Sequence, residues 1–127
     1  LRPRPDAQGQ GLKRAEAEAR GRRAGRRAGW WLRLHGWRIL GERLRVAAGE
    51  VDLVARRGRI VAFIEVKWRE RPEDLDLAID HWRLRRVAAA AEMLKDRFAR
   101  PRDDIRIDVM LLAPGRLPRH LVHVWQP

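Results

Sequence analysis

The chain has 127 residues, the size of one ordinary domain, and its 45% hydrophobic content is too high for a disordered chain. It carries 29 Lys and Arg against 17 Asp and Glu, a net charge of +12, and contains neither Cys nor Ser. Those absences exclude disulfides, thiolate zinc sites and Cys or Ser nucleophiles. No apolar run approaches the ~18 residues of a membrane span, and residues 1–5 show no signal-peptide hydrophobic region, so the expected compartment is the cytoplasm. Residues 1–29 hold nine basic and three acidic side chains, half of the net charge. A field of that kind suits a phosphate polymer, because each neutralised phosphate releases a condensed counterion.

In chain order, residues 1–11 read as a flexible basic tail, and residues 12–127 as a single domain. Ala, Glu and Arg over residues 12–35 favour helix, with Ala24, Ala28, Trp31 and His35 as the stripe that meets the core. Gly21, Gly25 and Gly29 share a second face, which costs about 1 kcal/mol per Gly unless close packing offsets it. Gly36 ends the helix as a C-cap glycine, with His35 capping or packing beside it. Residues 37–46, 50–56 and 60–68 read as three strands; the third is apolar on both faces, as a strand covered on both sides must be. Arg57-Gly58 is the turn signal of a hairpin between the second and third. A second helix is expected over residues 73–98, with Ile79, Trp82, Val87, Ala90, Ala91, Leu94 and Phe98 on its apolar face and Pro101 past its end. Ile105, Ile107, Val109 and Leu111 then alternate with Arg106, Asp108 and Met110 in a fourth strand, and residues 121–125 form a short last strand or docking segment. A helix between two strands of one sheet implies a parallel crossover, hence a mixed sheet in an α/β domain.

The chemistry sits on the hairpin. A two-residue turn at Arg57-Gly58 sets Glu50 opposite Glu65 and Asp52 opposite Phe63, so that Glu50, Asp52, Glu65 and Lys67 share one face. Clustered carboxylates repel unless a cation lies among them; Lys67 is one, and a hard divalent metal is another. The chemistry that fits is metal-assisted phosphodiester hydrolysis. Asp52 and Glu65 would hold Mg²⁺ or Mn²⁺ with the Val66 carbonyl as a further ligand. Lys67 would position the attacking water and offset developing charge. Glu50 would orient a metal-bound water or pair with an Arg. The structural alternative is a set of cross-strand carboxylates balanced by Lys67 and Arg on a half-exposed sheet. His120-x-x-His123 has metal-ligand spacing only on a helix; on a strand its imidazoles face opposite sides. Trp30, Trp31 and Trp82 could stack bases, although aromatics at helical spacing usually pack a core.

Gly49-Glu50-Val51-Asp52-Leu53-Val54-Ala55 followed by Phe63-Ile64-Glu65-Val66-Lys67-Trp68-Arg69 resembles the bacterial YraN-type family of predicted nucleases. Residues 28–37 are similar to that family's first helix and its exit, and Ile107-Asp108-Val109 to its late strand. The family in turn resembles the PD-(D/E)XK nucleases and the Holliday-junction resolvases. That resemblance implies a restriction-endonuclease-like αβββαβ core with a mixed β-sheet flanked by helices, and Asp52, Glu65 and Lys67 as its metal-and-lysine centre. It implies an endonuclease acting on branched or distorted DNA, DNA rather than RNA as partner, and a homodimer as one arrangement. Arg22, Arg23, Arg26 and Arg27 are the expected phosphate contacts, with Arg69 and Arg83 from the matched segments; Arg83 stands where the family usually has Lys. The family's first-helix Glu is Gly25 here, and Glu18 lies roughly 10 Å further along the helix axis. This departure leaves open a non-catalytic nucleic-acid-binding module on a nuclease fold; separately, the basic tail leaves open an interaction protein that contacts an acidic partner.

Overall fold

The computed structural model describes residues 5–75 and 80–125. Helix α1 (Pro5–Leu34) leads into strands β1 (Arg38–Val46), β2 (Gly49–Arg57) and β3 (Ile60–Trp68). A single 3-10 turn at Pro72–Asp74 precedes helix α2 (His81–Phe98), and strands β4 (Asp104–Leu112) and β5 (Arg119–Leu121) follow. The sheet order is β1-β2-β3-β4-β5, with β3 and β4 parallel and the other neighbours antiparallel. The domain is therefore α/β, with an αβββαβ core and one added edge strand.

The two helices cover opposite faces of the sheet. Ala28 and Leu32 of α1 pack with Trp37 on Leu53, Ala55, Ala62, Ile64, Met110 and Leu112. Leu84, Val87, Ala91 and Leu94 of α2 pack on Val54, Val61, Phe63, Ile107, Val109 and Leu111. Both β3 and β4 are thus apolar on two sides, which is why their sequences read as nearly continuous hydrophobic runs.

Several boundaries differ from the sequence expectation. Helix α1 already runs at Pro5, so the segment expected to be a loose tail is helical from there on; residues 1–4 lie outside the described residues. Its buried stripe is Ala24, Ala28 and Leu32, with Trp31 half-buried and His35 beyond the last turn. The helix closes with Gly36 N–H donating to Arg33 O and Trp37 N–H to Leu32 O, the paired bonds of a glycine-terminated helix. His35 Nδ1 bonds the Trp31 carbonyl at 2.6 Å, the capping role expected of it. Gly21 and Gly25 meet nothing within 4 Å, so no close packing offsets their helix cost. Helix α2 starts at His81 rather than at Glu73, because Asp80 is its N-cap and accepts the Trp82 N–H at 2.9 Å. Ile79 lies outside the described residues. The last strand is Arg119–Leu121, ahead of the expected position, and Val124 N–H reaches Ile107 O beyond it.

At Gly49 strand β2 passes tightly against the backbone of α2. A Cβ at this position would stand 2.5 Å from the Arg86 carbonyl oxygen. Backbone cannot yield as a flexible side chain does, so Gly49→Ala should push α2 off the sheet at a cost of about 1–3 kcal/mol. A lowered urea midpoint with unchanged slope would show it; an unchanged midpoint would mean that the helix has room to retreat.

Candidate functional site

The hairpin turn is Gly58-Arg59, one residue later than expected. Gly58 has φ +62 and takes the first turn position, where a left-handed residue matches the twist of the strands. Arg57 therefore joins β2 and pairs with Ile60, and the ladder runs through Val54↔Phe63 to Leu53↔Ile64. Continued in that register, Asp52 faces Glu65 and Glu50 faces Lys67. The expected opposition of Glu50 to Glu65 and of Asp52 to Phe63 is thus corrected by two residues. A two-residue change leaves the parity of the strands intact.

Glu65 and Lys67 project from the face of β3 that carries Phe63, the α2 side rather than the α1 side. Glu65 is 3% exposed and its Oε1 accepts from Lys67 Nζ at 3.1 Å and from Arg83 Nε at 2.8 Å. Lys67 is itself buried. Arg83, from the first turn of α2, is half-exposed at its side chain and committed in part to Glu65.

Asp52 stands where alternation breaks. Val54 and Val51 both enter the α2-side core, although they are three residues apart, while Leu53 enters the α1-side core. The neighbouring strand twists at the same level, with Arg43 at φ +51. Beyond Leu53↔Ile64 no backbone pairing joins β2 to β3; Val66 N–H donates instead to Asp52 Oδ2 at 2.7 Å. Burial pushes the Asp52 carboxyl above its ordinary value, the Val66 bond opposes that, and the Glu65 and Glu50 charges reinforce it against Arg83.

Two grooves meet at this splayed end. One, of about 520 Å³, lies under α1 and is bordered by Glu18, Gly21, Arg22, Gly25 and Arg26 with Glu50, Asp52 and Val66. The other, of about 340 Å³, is bordered by Glu50, Glu65, Trp82, Arg83, Arg86 and Val87. Glu50 borders both, and its Oε2 is 3.2 Å from Arg45 Nε on β1. Among the described residues no three His, Cys, Asp or Glu gather closely enough to hold a metal.

Of the expected phosphate contacts, Arg22, Arg23, Arg26 and Arg27 are all exposed on α1, and two of them border the larger groove. Arg69 is half-buried, and its Nη1 donates to the Trp68 carbonyl at 2.8 Å.

A second charged cluster was not legible in advance. Asp108, fully buried on β4, accepts from Arg106 Nε (3.0 Å) and Nη2 (2.8 Å), from His120 Nε2 (2.7 Å) and from His123 N–H (2.9 Å). His120 and His123 therefore serve one carboxylate, the first by its ring and the second by its backbone. One sequence signal was Arg106 two residues before Asp108, which puts both on one strand face.

Residues 24–112 match the model of the family described as Uncharacterised protein family UPF0102. This chain belongs to the UPF0102 family. A UPF0102 protein of Sphingopyxis alaskensis is 84% identical over 116 residues, covering 91% of this chain and 100% of the relative. Those of Erythrobacter litoralis (55% identical; 91% and 100% covered) and Rhizorhabdus wittichii (58%; 89% and 96%) are similar over nearly the same length. The UPF0102 match spans Gly25, Asp52, Glu65, Lys67 and Arg83, and leaves the first nineteen residues of α1 outside it. Among the described residues, no helix is long and apolar enough to cross a membrane.

Proposed function

We propose that this UPF0102 protein is a metal-dependent endonuclease that hydrolyses phosphodiesters in branched or distorted DNA, in the cytoplasm. The observation that carries the reading is the splayed end of β2 and β3. There Asp52 is bonded to the Val66 N–H, and Glu65 is held by Lys67 and Arg83, beside a groove bordered by arginines.

The donor chemistry suits a hard divalent cation. Every side chain offered is a carboxylate, and a cation would relieve the burial and like-charge repulsion that raise Asp52. Asp52, Glu65 and the Val66 carbonyl would hold it. A bound Mg²⁺ or Mn²⁺ would acidify a water and polarise the phosphoryl oxygen. Lys67 supplies a fixed positive charge toward the negative charge that develops on the phosphate. Arg22 and Arg26 bind the flanking phosphates along the groove under α1, and Glu50 orients water at its mouth.

Gly25 supports a second reading, a nucleic-acid-binding module without cleavage, because the family's helix carboxylate is missing from the groove wall. Gly25→Glu tests the two together. A side chain there meets open space, and losing Gly stabilises the helix by up to ~1 kcal/mol. The endonuclease reading expects tighter Mn²⁺ binding by calorimetry and faster cleavage of branched DNA, with the cleavage abolished by adding Lys67→Ala. Melting temperature measured alongside separates the helix gain from catalysis. If Gly25→Glu stays folded, binds metal no better and cuts neither branched nor linear DNA, the binding-module reading replaces this one.

A further inference from the structure

We propose that Trp82 is a stacking platform for an unpaired nucleotide next to the Glu65–Lys67 site, so that the preferred ligand is single-stranded or flapped nucleic acid rather than continuous duplex. The proposal rests on the nucleic-acid reading above and goes further by naming the feature of the substrate that is recognised.

Trp82 is not a core residue. The buried stripe of α2 is Leu84, Val87, Ala90, Ala91 and Leu94, and Trp82 lies off it, 61% exposed. Leaving a surface of that size in water is unfavourable unless something else covers it. The indole is nevertheless held in place. Its backbone N–H is fixed by the Asp80 cap, and the Arg86 guanidinium, one turn on, lies over the ring at 5.2 Å.

The position of the ring decides what it could bind. Trp82 borders the same groove as Glu65, Arg83 and Arg86, and at about 340 Å³ that groove is within the range of small-ligand pockets. An aromatic face flanked by two guanidiniums matches a nucleotide, with the base on the indole and its phosphate on Arg83 or Arg86. A base within a duplex keeps both faces against its neighbours, so only an unpaired or extruded base can present one. Trp30 provides a contrast: it is equally exposed, with Arg33 over it at 5.2 Å, but borders neither groove at the site.

The test is fluorescence anisotropy with a labelled oligothymidylate and with a duplex of the same length, for wild type, Trp82→Ala and Trp82→Phe. Trp82→Ala should weaken oligothymidylate binding by about 5- to 150-fold, the range seen when one stacked base loses its aromatic partner. Duplex affinity should stay within twofold, Trp82→Phe should recover most of the loss, and the salt slope should not change because no phosphate contact is removed. An unchanged oligothymidylate affinity, or equal losses for both probes, overturns the stacking platform while leaving the nuclease reading in place. Wild-type protein that binds neither probe overturns both.

Discussion

Glu65→Leu should destabilise the fold by about 3–5 kcal/mol, a loss that lies in what is left behind. Lys67 Nζ is 3.1 Å from Glu65 Oε1, and the Lys67 side chain is only 8% exposed, so without Glu65 its ammonium is buried without that partner. Arg83, the other partner, is 50% exposed and can turn to water. The asymmetry gives a cycle. Lys67→Met leaves Glu65 with Arg83 and should cost less than Glu65→Leu. The double variant, which removes both buried charges, should recover most of the loss, as hydrophobic replacement of a buried pair often does. Urea unfolding of the four proteins measures it. A double variant no more stable than Glu65→Leu would mean that Lys67 already reaches solvent.

The Asp108 cluster should show a loss of similar size with a pH signature. Asp108→Ala removes the acceptor of four hydrogen bonds and strands Arg106, whose side chain is 17% exposed, for an expected cost of about 3–5 kcal/mol. It also loosens β5, which pairs with β4 through three residues only. Burial by itself would raise the Asp108 carboxyl, but the bonds from His120, Arg106 and the His123 N–H outweigh it and hold the group below its ordinary value of 3.8. A depressed carboxylate stabilises the fold fully above its unfolded value, and that contribution is lost as pH falls through the folded value. The difference between wild type and Asp108→Ala should therefore be constant from pH 7 to about 5 and shrink below about 4. Urea midpoints across that interval test it; a difference that stays flat to pH 2.5 would assign the loss to packing rather than charge.

The two clusters differ in how far they could be anticipated. Glu65 and Lys67 were recognisable because they stand two apart on a strand whose apolar neighbours make its alternation unmistakable. Shifting the turn to Gly58-Arg59 moved every partner by two and changed no parity, so the shared-face expectation within β3 did not depend on the turn. Asp52 was harder. Its neighbour Val51 turns into the α2-side core, and nothing local announces that break; the twist beside Arg43 on the adjacent strand does. Asp108 alternates with apolar residues on β4, a pattern that does not by itself mark it as buried. It is buried because Met110 and Leu112 on the same face lie beneath α1, and because His120 and His123, more than ten residues away, return to bond it.

The sequence alone determined the element order, the mixed sheet and the family, because these follow from period, turn residues and a contiguous motif, all of which are local. Only the tertiary structure decided which helix covers which face. That choice put Glu65 and Lys67 under α2 with Arg83, opened a groove beneath Gly21 and Gly25, and left Trp82 in solvent beside the site. Alternation along a strand separates its two faces but does not say what lies over either one; that depends on the packing of α1 and α2, elements tens of residues apart in the chain.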